Sequence, residues 1–515
     1  MTEFELLQLI GEADDRYIMD SRRRPKKKPR WPYALAACLV LAVLTGAGVM
    51  IFGPLGSPAT AESTAAGEAV MQADEEQGNG QIQEGMSSNL EGTEETTEVS
   101  ESVEAYDVTM LSEAVYPESI SAEDYDAATQ QWTENQVSEN TRTALNAFAY
   151  STAAAVLQDQ ENSGCYSPLS LYQTLAILAS GAQGQTRDEL LSLLGQSDVE
   201  TMASETGKLY RVNYFDNEVN KLKIANSLWL DETAGDGGRV SYNQDWVLSA
   251  AADYYASVYE AEFSQESTAQ ALGQWISDHT GGLLHPSPET LNFDQNTVMA
   301  IVNTLWYQTQ WSEPFDEDAT TTEDFTTADG EIVSWDFMHK TDSLGAVIET
   351  EEYTKSAISL NQGKMIFVLP QEGVDVDSLL TEEKLWEIFE NGDYQDAEVI
   401  WSIPKFETSA AYPELEEMLQ SLGVTSAFDV GTADFSLISS DVPLVVGQIQ
   451  QETHIAINED GVEAASFSMA AMEAGASEPE KVATVEMNLN RPFLYLITAN
   501  DGSTLFLGVV RNPSK

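Results

Sequence analysis

Apolar residues from residue 142 onward follow the spacing of half-buried and fully buried strands. Residues 482–490 (VATVEMNLN) alternate strictly between apolar and polar, which predicts a strand with one buried face. Residues 299–307 (MAIVNTLWY) are apolar almost throughout, which predicts a strand buried on both faces. PFLYLI and TLFLGVV are joined by TANDGS, a turn sequence typical of a β-hairpin. The predicted buried face of the alternating strand is Ala483, Val485, Met487 and Leu489.

Helix signals lie mainly before those strands. TRDE at 186–189 has the spacing of a capping box and leads into LLSLL, which Gly195 stops. Pro413 opens a second helical run that ends near Gly423. Because helices dominate early and strands late, the sequence predicts an α+β fold with large antiparallel sheets.

The N-terminal part begins with charged residues and continues as a long apolar run. Residues 1–30 hold a short acidic segment followed by the basic cluster SRRRPKKKPR. Residues 31–52 are apolar and uncharged. At 1.5 Å per residue in a helix, they are long enough to cross a bilayer of roughly 30 Å. The basic cluster predicts that residues 1–30 are cytoplasmic and that everything after residue 52 is extracellular.

The apolar run has two other interpretations besides a single-pass anchor. A cleaved signal peptide has a shorter apolar core that starts nearer the N-terminus, so an uncleaved transmembrane helix over 31–52 is favoured. Cys38 follows LAA, as in a lipoprotein cleavage box, yet the apolar run continues well past it. A cysteine buried in the membrane is the favoured interpretation of Cys38.

Residues 53–141 contain no Lys or Arg and are rich in Glu, Ser, Thr, Gly, Ala and Gln. Low hydrophobicity with charge of one sign cannot offset chain entropy by burial. The sequence therefore predicts a disordered acidic linker that repels itself and extends. The globular domain is expected to follow over 142–515.

Charge and cysteine content exclude several classes of function. Lys and Arg total 24 against 85 Asp and Glu, for a formal net charge of −61, which repels nucleic acid. Two cysteines cannot build a disulfide framework. The four histidines show no metal-ligand spacing, so neither a metal nor another cofactor is expected.

Four separated stretches of the globular part resemble the serpin family of serine protease inhibitors. The resemblance covers residues 142–515 and implies a serpin fold with large antiparallel and mixed sheets, surrounding helices and an exposed reactive loop. The four stretches are SPLSLYQTLAILASGAQGQTRDELLSLLG at 167–195, VNTLWYQTQWSEPFDEDATTTEDF at 302–325, IPKFETSAAYPELEEMLQSLGVTSAFD at 403–429, and INEDGVEAAS at 457–466 with the later NRPFLYLI and FLGVVRNP.

The resemblance also implies a mechanism. A protease attacks the reactive loop and forms an acyl-enzyme, and the cut loop then inserts as a new central strand that carries the protease along and distorts it. Such a protein is not an enzyme, and no GxSxG or HExxH is present. The residues that match the loop hinge of the family are Glu459, Gly461, Val462, Glu463, Ala464, Ala465 and Ser466.

The residues themselves meet the demands of insertion, because side chains of a strand alternate between its faces. The set at even positions from Val462 to Met472 is small until its end. The set at odd positions contains Phe467 and both charges, which suits a face turned to solvent. No proline occurs in 459–478, so no backbone donor is missing.

Counting from the hinge by the family spacing places the scissile bond at Gly475–Ala476. The loop is longer than usual, and counting back from Pro492-Phe493 instead reaches 478–481. Because insertion length decides inhibition, the region 472–477 is favoured. Its small and Met side chains suggest an elastase-like or subtilisin-like serine protease, whereas cleavage at Lys481 would consume the inhibitor as a substrate.

The resemblance also implies a breach region and a shutter region. These breach and shutter residues are Trp311, Asn303, Ser167, Ser170 and Gln451.

The sequence departs from the family pattern at three positions. Gln451 replaces a histidine, Thr309 replaces a glycine and Val462 replaces a threonine. Asn162 or Ser163 is a candidate further partner of the shutter.

Three functions follow as hypotheses. The first is a membrane-anchored, monomeric inhibitor that traps an extracellular serine protease covalently. The second is a binding or sensing module of the same fold whose loop is cut as a signal. The third, a surface enzyme, lacks a nucleophile–base set. The anchor, the acidic spacer and the absence of disulfides suggest a Gram-positive bacterial surface.

Overall fold

The structure is a computed structural model that describes residues 46–54, 106–122, 124–158, 160–217, 219–233, 239–284, 286–287, 291, 297–412, 414–462 and 482–514. The described residues contain these α-helices: α1 (Tyr125–Glu134), α2 (Glu139–Leu157), α3 (Pro168–Gly181), α4 (Gly184–Leu193), α5 (Val199–Val212), α6 (Gln244–Tyr254), α7 (Glu266–His279), α8 (Glu382–Glu390) and α9 (Leu415–Ser421). Among these helices none combines the length and apolarity needed to cross a bilayer.

Two large mixed sheets organise the strands. The main sheet contains β1 (Gly46–Pro54), β2 (Thr109–Ser112), β4 (Phe215–Asp216), β5 (Lys221–Asp231), β6 (Ala256–Ala261), β7 (Met299–Gln310), β13 (Phe406–Tyr412), β14 (Leu444–Ile457) and β15 (Gly461–Val462). Its order is β13–β14–β1–β7–β5–β6–β2, with β15 between β14 and β7 at one end.

The second sheet runs in the order β16–β12–β9–β10–β11–β17–β18–β3, with β8 on β9. Its strands are β3 (Gly164–Tyr166), β8 (Thr321–Thr326), β9 (Ile332–Glu349), β10 (Tyr353–Leu360), β11 (Gly363–Pro370), β12 (Gln395–Pro404), β16 (Ala483–Asn488), β17 (Phe493–Thr498) and β18 (Thr504–Val510). Most neighbours are antiparallel, and β12–β16 and β5–β6 are parallel.

Helix α3 occupies the centre of the core behind the main sheet. All its residues are buried, because its sequence is apolar or small around the whole circumference. Pro168 stands at the start of the helix, where its missing N–H removes no internal hydrogen bond. Helix α7 covers the opposite face of the main sheet with Trp275, which shares a second buried cluster with Trp229 and Val302.

Several predicted elements are confirmed and one is wrong. Strand β7 contains the run 299–307, and the β17–β18 hairpin follows the two closing apolar runs. In β16 and just after it, Val485, Met487 and Leu489 are buried as predicted, whereas Ala483 is exposed. The capping box at 186–189 is wrong, because α4 begins earlier and Glu189 instead accepts hydrogen bonds from the backbone N–H groups of Thr425 and Ser426.

The predicted transmembrane helix over 31–52 differs from the structure where the two overlap. Residues 46–52 belong to β1, which pairs antiparallel with β7 on one side and with β14 on the other. Residues 1–45 lie outside the described residues. A run that is apolar on every side satisfies the interior of a sheet as well as the interior of a bilayer, which is why composition alone does not separate the two.

The prediction of a disordered linker over 53–141 is wrong for residues 53–54, which end β1, and for the part from residue 106 onward that forms β2, α1 and the start of α2. Residues 109–112 form β2, the edge strand beside β6, and α1 begins with the carboxylate of Asp124 capping the N–H of Ala127. Tyr116 stacks on Tyr214 with ring centroids 5.9 Å apart. The few apolar residues of this stretch are diluted by the acidic composition around them, so an average over the whole linker hid them.

Candidate functional site

The candidate site is the space between β7 and β14, which we call the insertion slot. Both strands pair antiparallel with β1, so β7 and β14 run parallel to each other and flank one strand of opposite direction. At one end of the slot β15 makes the same kind of pairing. Gly461 and Val462 lie opposite Gln310 and Thr309, and Val462 also lies opposite Ile457.

A tight turn leads the chain from β14 into β15. The side-chain oxygen of Asn458 accepts hydrogen bonds from the N–H groups of Asp460 at 3.0 Å and Gly461 at 3.1 Å. The N–H of Asn458 donates to the carbonyl of Gly461 at 3.1 Å. An Asx side chain that satisfies its own following backbone is a standard way to close a turn. The turn reverses the chain so that the hinge enters the slot antiparallel to β14.

The predicted hinge residue Glu459 is held by two polar neighbours. Its carboxylate lies 2.9 Å from the ammonium of Lys405 and accepts a hydrogen bond from the hydroxyl of Thr320 at 2.8 Å. Burial alone would raise the pKa of Glu459, but the hydrogen bonds from Lys405 and Thr320 outweigh it and hold the pKa below its ordinary value. Glu459 is therefore ionised at neutral pH and fixes the base of the hinge.

Gly461 and Val462 occupy positions that restrict their side chains. The φ of Gly461 is +155°, and an added Cβ would lie 2.2 Å from the carbonyl oxygen of Thr309. Val462 is fully buried in the main core. The even-numbered face of the predicted insertion therefore starts on the core side, as the alternation requires. Hinge residues 463–466 lie outside the described residues.

Trp311 closes the top of the slot and is buried. Its indole N–H donates to the carbonyl of Asn458 at 2.9 Å, and its backbone N–H donates to the carbonyl of Asp460 at 3.0 Å. Its ring meets Phe315 edge to face at 5.7 Å. The predicted breach position of Trp311 is thus tied to the turn that starts the hinge.

The structure brings three of the predicted shutter residues together behind the sheet. Gln451 accepts from the N–H of Ser167 at 3.0 Å and donates to the carbonyl of Ser167 at 2.9 Å. The hydroxyl of Ser167 lies 3.2 Å from that of Ser170. The amide of Gln451 is fitted to this role because it supplies a donor and an acceptor without a charge.

Asn303 belongs to a separate network. Its side-chain N–H donates to Asn226 at 2.7 Å, and Asn226 donates to the carbonyl of Tyr254 at 2.8 Å. The side-chain oxygen of Asn303 is buried and has no hydrogen-bond partner among the described residues. Asn303 on β7 and Gln451 on β14 both lie opposite Gly48 of β1.

Two smaller expectations have a clear outcome. Ser163 is not part of the shutter, because its hydroxyl donates to the carbonyl of Asn512 and accepts from the N–H of Arg511 near the end of the chain. Thr309 fits inside the sheet, where its hydroxyl donates to Asn220 at 2.8 Å. Thr309 thus stands where a glycine is expected, and its hydroxyl has a hydrogen-bond partner there.

The rest of the loop lies outside the described residues. Residues 463–481 include the predicted scissile bond Gly475–Ala476 and Lys481, so the position of the cleavage stays a prediction. Within the ranges that the structure describes, no group of three or more His, Cys, Asp or Glu side chains is placed to hold a metal ion.

Sequence reasoning missed four residues of the site: Asn226, Thr320, Lys405 and Asn458. Lys405 stands in the PKF segment that helped to reveal the family, but its partner is 54 residues away along the chain. Pairings of this kind depend on the topology of the sheets rather than on local spacing.

The comparison with protein families agrees with this geometry. The chain matches the family model of the serpins (serine protease inhibitors) over residues 143–513. Because this match covers most of the chain, the protein belongs to the serpin family.

Relatives from distant organisms match over similar lengths. Alpha-1-antiproteinase S of Cavia porcellus is 27% identical, with 72% of this chain and 90% of the relative covered. An uncharacterized serpin-like protein of Methanosarcina acetivorans is also 27% identical, with 72% of this chain and 86% of the relative covered.

Solved structures of the same fold include a thermophilic serpin and a thyroxine-binding protein. The thermophilic serpin tengpin in its native state has a TM-score of 0.62 at 23% identity, covering 79% of this chain and 99% of that structure. Thyroxine-binding globulin in complex with thyroxine has a TM-score of 0.59 at 23% identity, covering 72% of this chain and 99% of that structure. At this identity the likeness concerns the fold alone.

Proposed function

We propose that the protein is a suicide inhibitor of an extracellular serine protease of the elastase-like or subtilisin-like type. The observation that carries the proposal is the placement of Gly461 and Val462. They already pair with β7 and stand at the mouth of the slot, with Val462 on the core side. A loop that continues from there meets the interior with Ala464 and Ser466, which are small enough to enter a packed sheet.

In this proposal the chain itself is the substrate analogue. The serine hydroxyl of the protease attacks the carbonyl of Gly475, the amine of Ala476 leaves, and an ester joins the two proteins. Insertion of the cut loop then adds a strand whose backbone hydrogen bonds were previously unmade. The free energy released by that pairing distorts the protease before water can cleave the ester.

We further propose that the inhibitor is monomeric and is displayed on a cell surface, with residues 31–52 as the anchor, residues 1–30 in the cytoplasm and the serpin domain outside. The support for this is the sequence: a basic cluster before an uncharged apolar run, then an acidic spacer. Protease digestion of intact cells tests it. The expected result is release of the domain and retention of an N-terminal epitope inside.

Incubation of the full chain with an elastase and with a subtilisin tests inhibition. The expected product is a complex that survives SDS and has the summed mass of the protease and the larger fragment. N-terminal sequencing of the released fragment then reads the cut directly, and Ala476 is the expected first residue. Cleavage by every protease without any stable complex would overturn the proposal.

The second candidate is a binding or sensing module whose loop is cut as a signal. Its specific support is β1, which occupies most of the slot that a cut loop requires. The two functions differ in what cleavage does to stability. A cut loop that inserts raises Tm, whereas a cut loop that stays in solvent leaves Tm unchanged.

A further inference from the structure

We infer that β1 is an internal competitor of the reactive loop: residues 46–54 of this same chain occupy the slot and must leave before the loop can insert fully. The inference rests on the proposed insertion and adds a regulation to it. The observation behind it is one of register, because two segments far apart in sequence claim the same backbone partners.

The overlap follows from the pairing of β15. Each further residue of the loop pairs with one residue earlier in β7. Continued from Val462 opposite Thr309, this register places Ser466 opposite Leu305 and Met472 opposite Met299. Leu305 and Met299 are the present partners of Gly46 and Phe52. Loop residues 466–472 and β1 residues 46–52 therefore compete for the same seven positions on β7.

The opposite wall of the slot gives the same result independently. Val462 lies opposite Ile457 on β14, so the continued register places Phe467 opposite Glu452. Glu452 is the present partner of Ala47. Both walls thus equate position 47 with position 467. Direction also agrees, because β1 and β15 are each antiparallel to both walls.

The register also limits how far the loop can enter while β1 is in place. Residues 306–308 of β7 lie between the pairing with β15 and the pairing with β1. They leave room for loop residues 463–465 and no more. A cut loop would therefore stop near the top of the slot, and the attached protease would not be carried to the far end of the sheet.

The loop has one advantage over β1 at the middle of the slot. Position 48 is glycine, and it lies between Asn303, whose side-chain oxygen has no partner among the described residues, and Gln451. The competing loop residue at this position is Ser468, whose hydroxyl can donate to that oxygen. Satisfying a buried acceptor favours the loop, so the exchange of β1 for the loop has a direction.

Withdrawal of β1 has a cause in the proposed anchor. Residues 46–52 belong both to β1 and to the apolar run 31–52, and they cannot pair in a sheet while they lie in a bilayer helix. A membrane-inserted chain has a free slot into which the cut loop can insert. A chain outside the membrane has its slot filled by β1.

A reversible disulfide lock tests the inference on the full chain. Val49 and Val302 are direct partners across β1 and β7, at a spacing that suits a disulfide in antiparallel strands. V49C/V302C is compared with V49C/V485C, whose second cysteine lies in the second sheet. The chains are made by cell-free synthesis without lipid or detergent, and cross-links are mapped by peptide mass spectrometry so that Cys38 and Cys165 can remain.

We expect the disulfide to form in V49C/V302C and not in V49C/V485C. The locked chain is expected to give at least tenfold less SDS-stable protease complex than the same sample after reduction with dithiothreitol. Reconstitution into phosphatidylcholine vesicles before oxidation is expected to lower the cross-link yield severalfold. Absence of the cross-link in the lipid-free sample, or equal trapping by the locked and reduced forms, would overturn the competition, and an unchanged yield in vesicles would overturn release by the bilayer.

A labelled peptide with the sequence of residues 463–473, EAASFSMAAME, separates this inference from the proposed inhibition. We expect it to bind the reduced chain and not the locked chain, whether or not a protease is trapped. Selective binding without any trapped protease would support the competition and refute the inhibitor. Equal binding to both forms would refute the competition.

Discussion

The ammonium of Lys405 lies 2.9 Å from the carboxylate of Glu459, two residues before the glycine that begins β15. The pair is unevenly exposed: the side chain of Lys405 is 39% exposed and that of Glu459 is 10% exposed. Half-exposed ion pairs contribute about 0–1 kcal/mol to global stability. Its position matters more than its strength, because it fixes the turn at which the hinge enters the slot.

Glu459→Gln removes the charge of that pair while it keeps the shape of the side chain. We expect Tm to fall by no more than about 3 °C, while the amides of 459–462 exchange with solvent several times faster. A thermal melt measures Tm, and hydrogen exchange followed by mass spectrometry measures the exchange of these amides. Glu313→Gln is the matched control, because Glu313 pairs with Lys340 at 3.2 Å but is 75% exposed. Equal exchange in the two variants would remove the hinge role of Glu459.

The neighbouring residues Ala464 and Ala465 are expected on opposite faces of the inserted loop, so they test the two faces separately. Ala464→Arg places a charge at a position that must enter the core, and an unpaired buried charge costs several kcal/mol. We expect this variant to be cut by the target protease and to form at least tenfold less SDS-stable complex. Ala465→Arg puts the same side chain on the opposite face and is expected to trap normally. Equal loss in both variants would contradict the proposed register.

Gln451 stands at the shutter, where the family resemblance predicts a histidine. Gln451→Ala leaves the buried N–H and carbonyl of Ser167 without their partner, at a cost of about 1–3 kcal/mol. We expect a lower midpoint of urea unfolding with an unchanged slope. Gln395→Ala, at an exposed position of β12, is expected to change little. A Gln451→Ala chain as stable as the parent would show that water replaces the amide.

Two histidines, His454 buried and His279 half-buried, make the fold sensitive to mild acid. Burial lowers the pKa of both His279 and His454 to about 4. The unfolded chain takes up these protons below about pH 6.5, whereas the folded chain does so only near pH 4. Stability therefore falls as the pH falls through this window, by up to about 3 kcal/mol for each histidine.

His454→Gln tests the share of one histidine. His454 hydrogen bonds to Ser409 at 3.0 Å and lies 4.0 Å from Glu407, contacts that do not restore its proton at neutral pH. We expect the free energy of unfolding of this variant to depend less steeply on pH between 6.5 and 4 than that of the parent. Urea unfolding at four or five pH values measures the slope. Parallel curves for the two chains would show that His454 takes up its proton equally in both states.

Local sequence patterns predicted the fold correctly where the spacing of apolar residues reflects which faces of a strand are buried. The all-apolar run of β7 and the alternation of β16 are both of this kind, and so is the family resemblance that located the hinge at Gly461. The capping box at Thr186 failed because its spacing is short and common. Tertiary contacts decided the helix start instead, since the hydroxyl of Thr186 accepts from the N–H of Asp434.

The least predictable feature was β1. An uncharged apolar stretch next to a basic cluster satisfies every sequence test for a membrane helix. Its own residues give no indication that it pairs with β7 and β14. Its pairing became visible only when the walls of the slot were in place. In the same way, Asn226 is an ordinary polar residue in sequence, and only the alignment of β5 with β7 brings it to Asn303.

The parallel arrangement of β7 and β14 has a consequence between molecules as well as within one. The slot between β7 and β14 accepts one strand that runs antiparallel to both, whether that strand comes from the same chain or from another molecule. If each molecule inserted its loop into the slot of the next molecule, the contacts would not form a closed assembly and a filament would grow. While β1 of the same chain fills the slot, no strand of a second molecule can enter it, so such contacts do not propagate.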